Sequence, residues 1–373
     1  MANLEERKAP FEAEELEMAV KSGNVHHTLN NENLSNAARI IFGESDHMTR
    51  EYYEKTIIAG NYIGFDLEKH GFPNLLADLK ILTEFFRTAI HTVTKSTKQR
   101  SGKVFFMGEG PGRTAIAAIE LAKQLKIEEI VFNDLLSEHL DQTREKIAKC
   151  YNTREQKIDG VEINFLAGDF IEIASNIRKN FDALFAMWFV ASEICDFSSI
   201  KALRKRRNLL YSQIRKLLTK QGVFVEDIPF SAGVGTFYYT ARLKTYAILH
   251  EMGILEGENN HMLLSDFTDI QKGGFPYHIR YVPSNGKHRD ELAKAKLKEH
   301  ISTLTTLPSG IKNPTQYEAE FGSPEKIQQL FEGNSIDEII PFIEKKERDL
   351  LIYPSPTDIM AQQKKTIMWR PQT

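Results

Sequence analysis

The stretch "KVFFMGEGPGRTAIAAIELAKQLK", residues 103–126, decides the fold. Val104 to Met107 reads as a buried strand, and Thr114 to Leu125 repeats apolar residues at helical spacing. Gly108, Gly110 and Gly112 fill the turn between them. A backbone there can take φ > 0, and no Cβ keeps a ligand away. Either the turn serves only the chain, or it is built for close approach to a bound molecule.

The same rhythm continues on the carboxyl side. Strands are predicted at 103–108, 129–134, 161–166, 182–187 and 222–228, with helices at 112–125, 137–151, 171–179 and 199–219. Strands alternating with helices imply an α/β, doubly wound and mostly parallel sheet with helices on both faces. Before it, residues 1–98 carry mostly helical patterns, including the amphipathic "LLADLKILTEFFRTAIHTV" (75–93), and the polar "KSTKQRSGK" (95–103) marks the change. After 228 the rhythm fails until "GSPEKIQQLFEGNSIDEIIPFI" and "QKKTIMWRP". A charged helix is predicted at 287–303 in that interval. The predicted organisation is therefore a helical N-terminal cap (1–98), a cofactor-binding core (99–230), a substrate-side insertion after strand five (231–320) and a return to the core sheet (321–373).

Composition excludes several classes. The 373 residues are 41% hydrophobic and 27% charged, as in ordinary soluble domains. A formal charge of −3 provides no general attraction to nucleic acid or to an anionic membrane. No apolar run approaches the roughly 18 residues that span a bilayer. The acidic start MANLEERKAPFEAEELEMAV lacks the apolar centre of a secretion signal. With only Cys150 and Cys195, far apart, neither a disulfide framework nor a zinc-ligand spacing exists, and a cytoplasmic location is expected. His26 and His27 have no partners at ligand spacing, and no metal is expected. The basic run "KALRKRRNLLYSQIRK" (201–216) reads as the solvated face of a helix, the alternative being a track for a phosphate backbone.

Open α/β sheets bind ligands beyond the carboxyl ends of their strands. The turn lacks the third glycine of the dinucleotide pattern, because Arg113 stands in its place, and Glu109 would repel a pyrophosphate. A ligand with cationic groups and no phosphate has no such conflict. Strand two ends in Asp134, which can accept from ribose hydroxyls or cap the next helix. Strand three ends in Gly168-Asp169-Phe170, where Asp169 can accept from an adenine amino group and Phe170 can lie against the ring; capping of the following helix is again the alternative. Strand four delivers Met187 and Trp188 to the same rim, as pocket lining or as core.

Taken in order, the glycine turn, the acid after strand two, Gly-Asp after strand three, Phe-Asp opening strand four and "LLTKQGVFVED" entering strand five resemble the class I S-adenosylmethionine-dependent methyltransferase family. The resemblance covers 103–228, with a return at 322–370: "SPEKIQQLF" as a helix, "SIDEIIPFI" as the sixth strand and "TIMWRP" as the last of a Rossmann-like, seven-stranded sheet. It implies S-adenosyl-L-methionine as cofactor, approached by Gly108, Gly110 and Gly112, with Asp134 on the ribose, Asp169 on the adenine, and Leu135, Phe170, Met187 and Trp188 around it. The family carries an acid where this chain has Phe106, which leaves Glu109 as the substitute for contact with the ligand's ammonium. The activity implied is methyl transfer to an O or N atom of a small organic acceptor; a protein or peptide acceptor, or a non-catalytic sensor or scaffold that binds the cofactor, are the alternatives. The strand-four exit "AMWFVASEI" lacks the Asn-Pro-Pro-Tyr-like segment common in enzymes acting on DNA bases or glutamine. Glu193, Glu226 and Tyr238 are the catalytic candidates, and Tyr52, Tyr53, Tyr62, Phe237 and Tyr239 the aromatic residues of a composite lid.

Overall fold

Strand β1 (Gly102–Met107) sends Val104 and Phe106 into one buried layer and Phe105 and Met107 into another, as a central parallel strand must. It belongs to a computed structural model that describes residues 75–96, 102–187, 200–229, 294–299, 304–306, 310–352 and 364–372. Helix α1 (Leu75–Ser96) precedes β1, and α2 (Ala115–Leu125), β2 (Ile127–Asp134), α3 (Ser137–Tyr151), β3 (Lys157–Ile158) and β4 (Val161–Ala167) follow it. Next come α4 (Phe170–Ala174), β5 (Phe181–Ala186), α5 (Ile200–Leu217) and β6 (Leu218–Pro229). The remaining elements are β7 (Leu297–Glu299), β8 (Leu304–Thr306), β9 (Gly310–Ile311), α6 (Pro314–Phe321), α7 (Pro324–Phe331), α8 (Ile336–Leu350), β10 (Leu351–Ile352) and β11 (Lys364–Pro371).

The main sheet runs β3-β4-β2-β1-β5-β6-β11-β7, with β8 also on β11. Strands β4, β2, β1, β5 and β6 are mutually parallel, and β11 is antiparallel to β6. Strand β7 pairs with Trp369–Pro371 and β8 with Lys364–Thr366, so the two form one interrupted edge strand along β11. Counted that way the sheet has the seven strands predicted, plus the two-residue β3 hairpin at the far edge. This is a Rossmann-like, doubly wound α/β sheet. The strand order reverses between β1 and β5, which places the ligand crevice of such a sheet above the carboxyl ends of those two strands.

An aromatic row crosses the face covered by α1 and α2. Phe106 stacks on Phe185 with centroids 5.0 Å apart, Phe86 of α1 lies 5.5 Å from Phe185, and Phe132 and Phe165 continue the row at 5.4 and 5.9 Å. The position where the family carries an acid thus points into the core, and an unpaired carboxylate there would be costly. On the opposite face Leu210, Tyr211, Ile214 and Leu217 of α5 close over Phe105, Phe181 and Phe224.

Three sequence expectations need correction. Helix α1 is no detached cap: it packs on α2, α8, β1, β5 and β6, with Leu76, Leu79, Leu82, Phe85, Phe86 and Ala89 buried. The segment "SIDEIIPFI" is helical: Ile336, Ile339 and Ile343 bury at helical spacing, and the Glu338 carboxylate accepts from the Ser335 N–H (2.8 Å) and Oγ (2.7 Å) to fix its start. The edge strand comes instead from 297–299, inside the predicted charged helix 287–303, and from 304–306 just after it. Helices α7 and α8 then form an outer layer, α7 on α2 and α3, α8 on α1. The rest of the N-terminal segment, with Tyr52, Tyr53 and Tyr62, and the insertion residues Phe237, Tyr238 and Tyr239 lie outside the described residues, as do His26, His27 and Cys195.

A buried ion pair ties α1 to the glycine turn: Arg113 Nη2 donates to Asp78 Oδ2 with both side chains almost wholly inaccessible. Tyr317 of α6 joins them, its hydroxyl accepting from the amides of Leu75 and Leu76. Asp78→Ala strands the guanidinium and should cost about 3–5 kcal/mol in chemical denaturation, whereas Asp78→Leu combined with Arg113→Met should recover most of that loss.

Candidate functional site

The turn after β1 is left-handed at every second residue: φ is 61° at Gly108, 66° at Gly110 and 85° at Gly112. That geometry turns backbone amides inward, and two carboxylates receive them. Gly110 N–H donates to Asp134 Oδ2 at 2.8 Å. Thr114 N–H, at the amino end of α2, donates to Glu109 Oε1 at 2.8 Å, and the Thr114 hydroxyl bonds the same carboxylate. Helix α3 backs the turn: Thr143 Oγ1 donates to Gly110 O at 3.1 Å, and Lys146 Nζ to Pro111 O at 2.8 Å. A Cβ on Gly112 would sit 2.9 Å from Thr143 Oγ1 and 3.1 Å from its Cα, so glycine is required there.

Asp134 ends β2 and serves three donors. Besides Gly110, its Oδ1 accepts from Leu136 N–H at 2.9 Å and lies 3.1 Å from His139 Nδ1. Leu135 beside it is half-buried. Asp169 caps α4, accepting from Ile171 N–H at 2.8 Å, and its other oxygen pairs with Arg206 of α5. Asn133 joins the two strand ends, its Nδ2 donating to Leu166 O at 2.8 Å and Gly168 O at 3.0 Å. Gly168 N–H reaches Asp134 O at 2.8 Å. The rims of β1, β2 and β4 are therefore one hydrogen-bonded unit.

The remaining site residues predicted from sequence fall as follows. Phe170 is buried against Phe105, edge-on at 5.6 Å, and Met187 is buried where β5 exits. Glu226 is sealed on the α5 face, accepting from Trp369 Nε1 at 2.8 Å and from the Tyr211 hydroxyl at 3.2 Å. Trp188, Glu193 and Tyr238 lie outside the described residues. Sequence reasoning did not single out His139 or Arg206, the side-chain partners of the two rim aspartates. Arg206 stood inside the run 201–216, but the fold turns it and Arg207 inward, so that run is only partly a solvated face. Among the described residues no group of His, Cys, Asp or Glu can hold a metal ion, and no helix is long and apolar enough to cross a membrane.

Electrostatics distinguishes the acids. Burial pushes the Glu109 carboxyl up to about 7 and the nearby Asp134 charge adds to this, while the Thr114 hydrogen bonds oppose it. Glu129, held by Lys179 and Lys103 against the effect of its own burial, lies below the ordinary carboxylate range.

No family model matches the sequence, and no curated protein does. Among solved structures, the chain is similar to the plantazolicin methyltransferase BamL crystallised with a triazolic desmethylPZN analog and SAH (8% identity, 95% of this chain and 99% of that one, TM-score 0.39). It is also similar to an S-adenosylmethionine-dependent methyltransferase from Clostridium acetobutylicum ATCC 824 (10%, 87% and 97%, TM-score 0.36) and to the CcbJ methyltransferase from Streptomyces caelestis (12%, 77% and 90%, TM-score 0.34). At such identities and scores the likeness does not extend to individual side chains.

The raised Glu109 carboxyl makes a prediction about pH. The folded state holds this proton up to about pH 7, whereas an unfolded glutamate releases it near 4.5, so this group's contribution to stability falls as pH rises from about 4.5 to about 7. The full shift is worth up to about 3 kcal/mol. Glu129, with its lowered value, acts below that window. Urea unfolding at pH 5 and pH 8 should show the decline in the natural protein and a flatter profile in Glu109→Gln, which keeps an acceptor for Thr114 N–H.

Proposed function

We propose that the protein binds S-adenosyl-L-methionine above β1 and β5 and transfers its methyl group to an O or N atom of a small organic acceptor. One observation carries this reading: Glu109 already occupies the amide of Thr114, the N-cap of α2, beside which a dinucleotide would place its pyrophosphate. The Gly110 amide is likewise taken by Asp134. What the rim presents is acceptor oxygens, which suits a ligand with ribose hydroxyls, an ammonium and an adenine amino group.

When bound, S-adenosyl-L-methionine supplies an activated methyl: an acceptor lone pair forms the new bond to its carbon as the carbon–sulfur bond breaks, giving S-adenosylhomocysteine and releasing a proton. The chain's own residues bind and orient. Asp134, fixed by Gly110, Leu136 and His139, has lone-pair capacity left for a ribose hydroxyl. Asp169 holds the corresponding place for the adenine amino group, its charge balanced by Arg206. The positive-φ glycines let the backbone approach, and the buried turn excludes water from one side of the reacting centre.

Isothermal titration with S-adenosylhomocysteine, S-adenosyl-L-methionine and NAD tests the binding, and methyl-labelled cofactor incubated with small-molecule and protein acceptor pools tests the transfer. Binding of the first two, no binding of NAD, and label appearing in a small molecule are expected. NAD binding more tightly than S-adenosylhomocysteine would sink the reading. Label in protein would assign a polypeptide acceptor, and cofactor binding without turnover would leave a sensor.

A further inference from the structure

At the opposite end of the sheet, where the strands begin, basic side chains converge on a cleft of about 560 Å³. Lys103 comes from the start of β1, Lys179 from the loop before β5, Arg215 and Lys216 from the last turn of α5, and Lys220 from the start of β6. Two of the five are committed: Lys179 pairs with Glu129 at 2.6 Å, and Lys103 with Glu128 and Glu129 at 3.4 and 3.3 Å. Arg215, Lys216 and Lys220 form no ion pair among the described residues, and the Nε of Arg215 is buried without a hydrogen-bond acceptor. A donor in that position normally has a partner.

Cations often gather at a helix carboxyl end merely to complement its dipole. Here that end has another partner, since Asn180 Nδ2 donates to Lys216 O at 3.2 Å and Leu218 O at 3.3 Å. Asp182, the nearby carboxylate, is fully buried and engaged by Lys103 N–H at 3.0 Å and the Thr219 hydroxyl at 3.1 Å. Even with Glu128, Glu129 and Asp182 counted, positive charge remains in excess around this open cleft.

We infer that this cleft is a binding site for a small anion bearing two or more phosphate groups, separate from the crevice at the carboxyl ends of the strands. Its volume lies in the range of small-ligand sites. The chain's net charge of −3 disfavours a long polyanion, whose binding draws on many phosphate contacts at once. Arg215 offers a planar fork to one phosphate, and Lys216 and Lys220 offer mobile ammonium groups to the next.

Titration of the full chain with inorganic pyrophosphate at fixed ionic strength, beside sulfate and a single-stranded oligonucleotide, tests the site. Pyrophosphate should bind more tightly than sulfate. Arg215→Ala should weaken it about tenfold or more. Arg215→Lys should recover part of the loss, and Lys216→Ala or Lys220→Ala should each weaken it by about two- to fivefold. Affinity for S-adenosylhomocysteine should stay unchanged in the two exposed lysine variants, which separates this site from the proposed cofactor crevice. If Arg215→Ala fails to fold, those lysine variants carry the test. Pyrophosphate affinity identical across the folded variants, no preference over sulfate, or tighter binding of the oligonucleotide would each overturn the inference.

Discussion

Two backbone amides in the turn after β1 end on carboxylates, and much of the rim's geometry follows from that constraint. A chain passing from a buried strand into a buried helix through three left-handed residues turns its N–H groups inward. Inside, those groups need acceptors. Asp134 takes Gly110 and Glu109 takes Thr114, so the turn closes on itself. The cost is a second carboxylate taken out of water: burial, with the Asp134 charge adding to it, pushes the Glu109 carboxyl up to about 7.

The turn is also anchored from outside the parallel core. Arg113, one residue past the last glycine, crosses to Asp78 of α1, and Tyr317 of α6 reaches the same helix end. Salt bridges from Lys80 to Glu344 and from Arg87 to Asp337 join α1 to α8, so the outer helical layer and the rim share one support. The aromatic row beneath takes up Phe106, so that position adds no acceptor oxygen to the rim.

Legibility in the sequence followed the range of the interaction. Helix α3 begins and ends where its pattern places it, and β1, β2, β4, β5 and β6 lie within a few residues of their predicted spans, because each is written in local apolar periodicity. The segment 336–350 was read as a strand only by the family resemblance; Ile336, Ile339 and Ile343 bury at helical spacing, and α1 supplies the surface they cover. The pieces at 297–299 and 304–306 are too short to carry a period, and only the free edge of β11 makes them strands. Asp134 and Asp169 were legible as strand-end acids, but His139 and Arg206 were not, since neither spacing nor composition shows which side chain will meet them.

By itself the sequence determined the alternation of strand and helix, the glycine turn and the two acids beyond it. Backbone propensity and apolar spacing are properties of neighbours along the chain. Tertiary structure alone decided that Glu109 turns inward to Thr114, that Phe106 belongs to an aromatic row, and that Arg113 finds Asp78. It also decided that lysines and an arginine distant in sequence share one cleft. Each of these depends on which surfaces meet when the sheet closes, and the meeting is set by packing and by the pairing of buried charge, neither of which has a period to read.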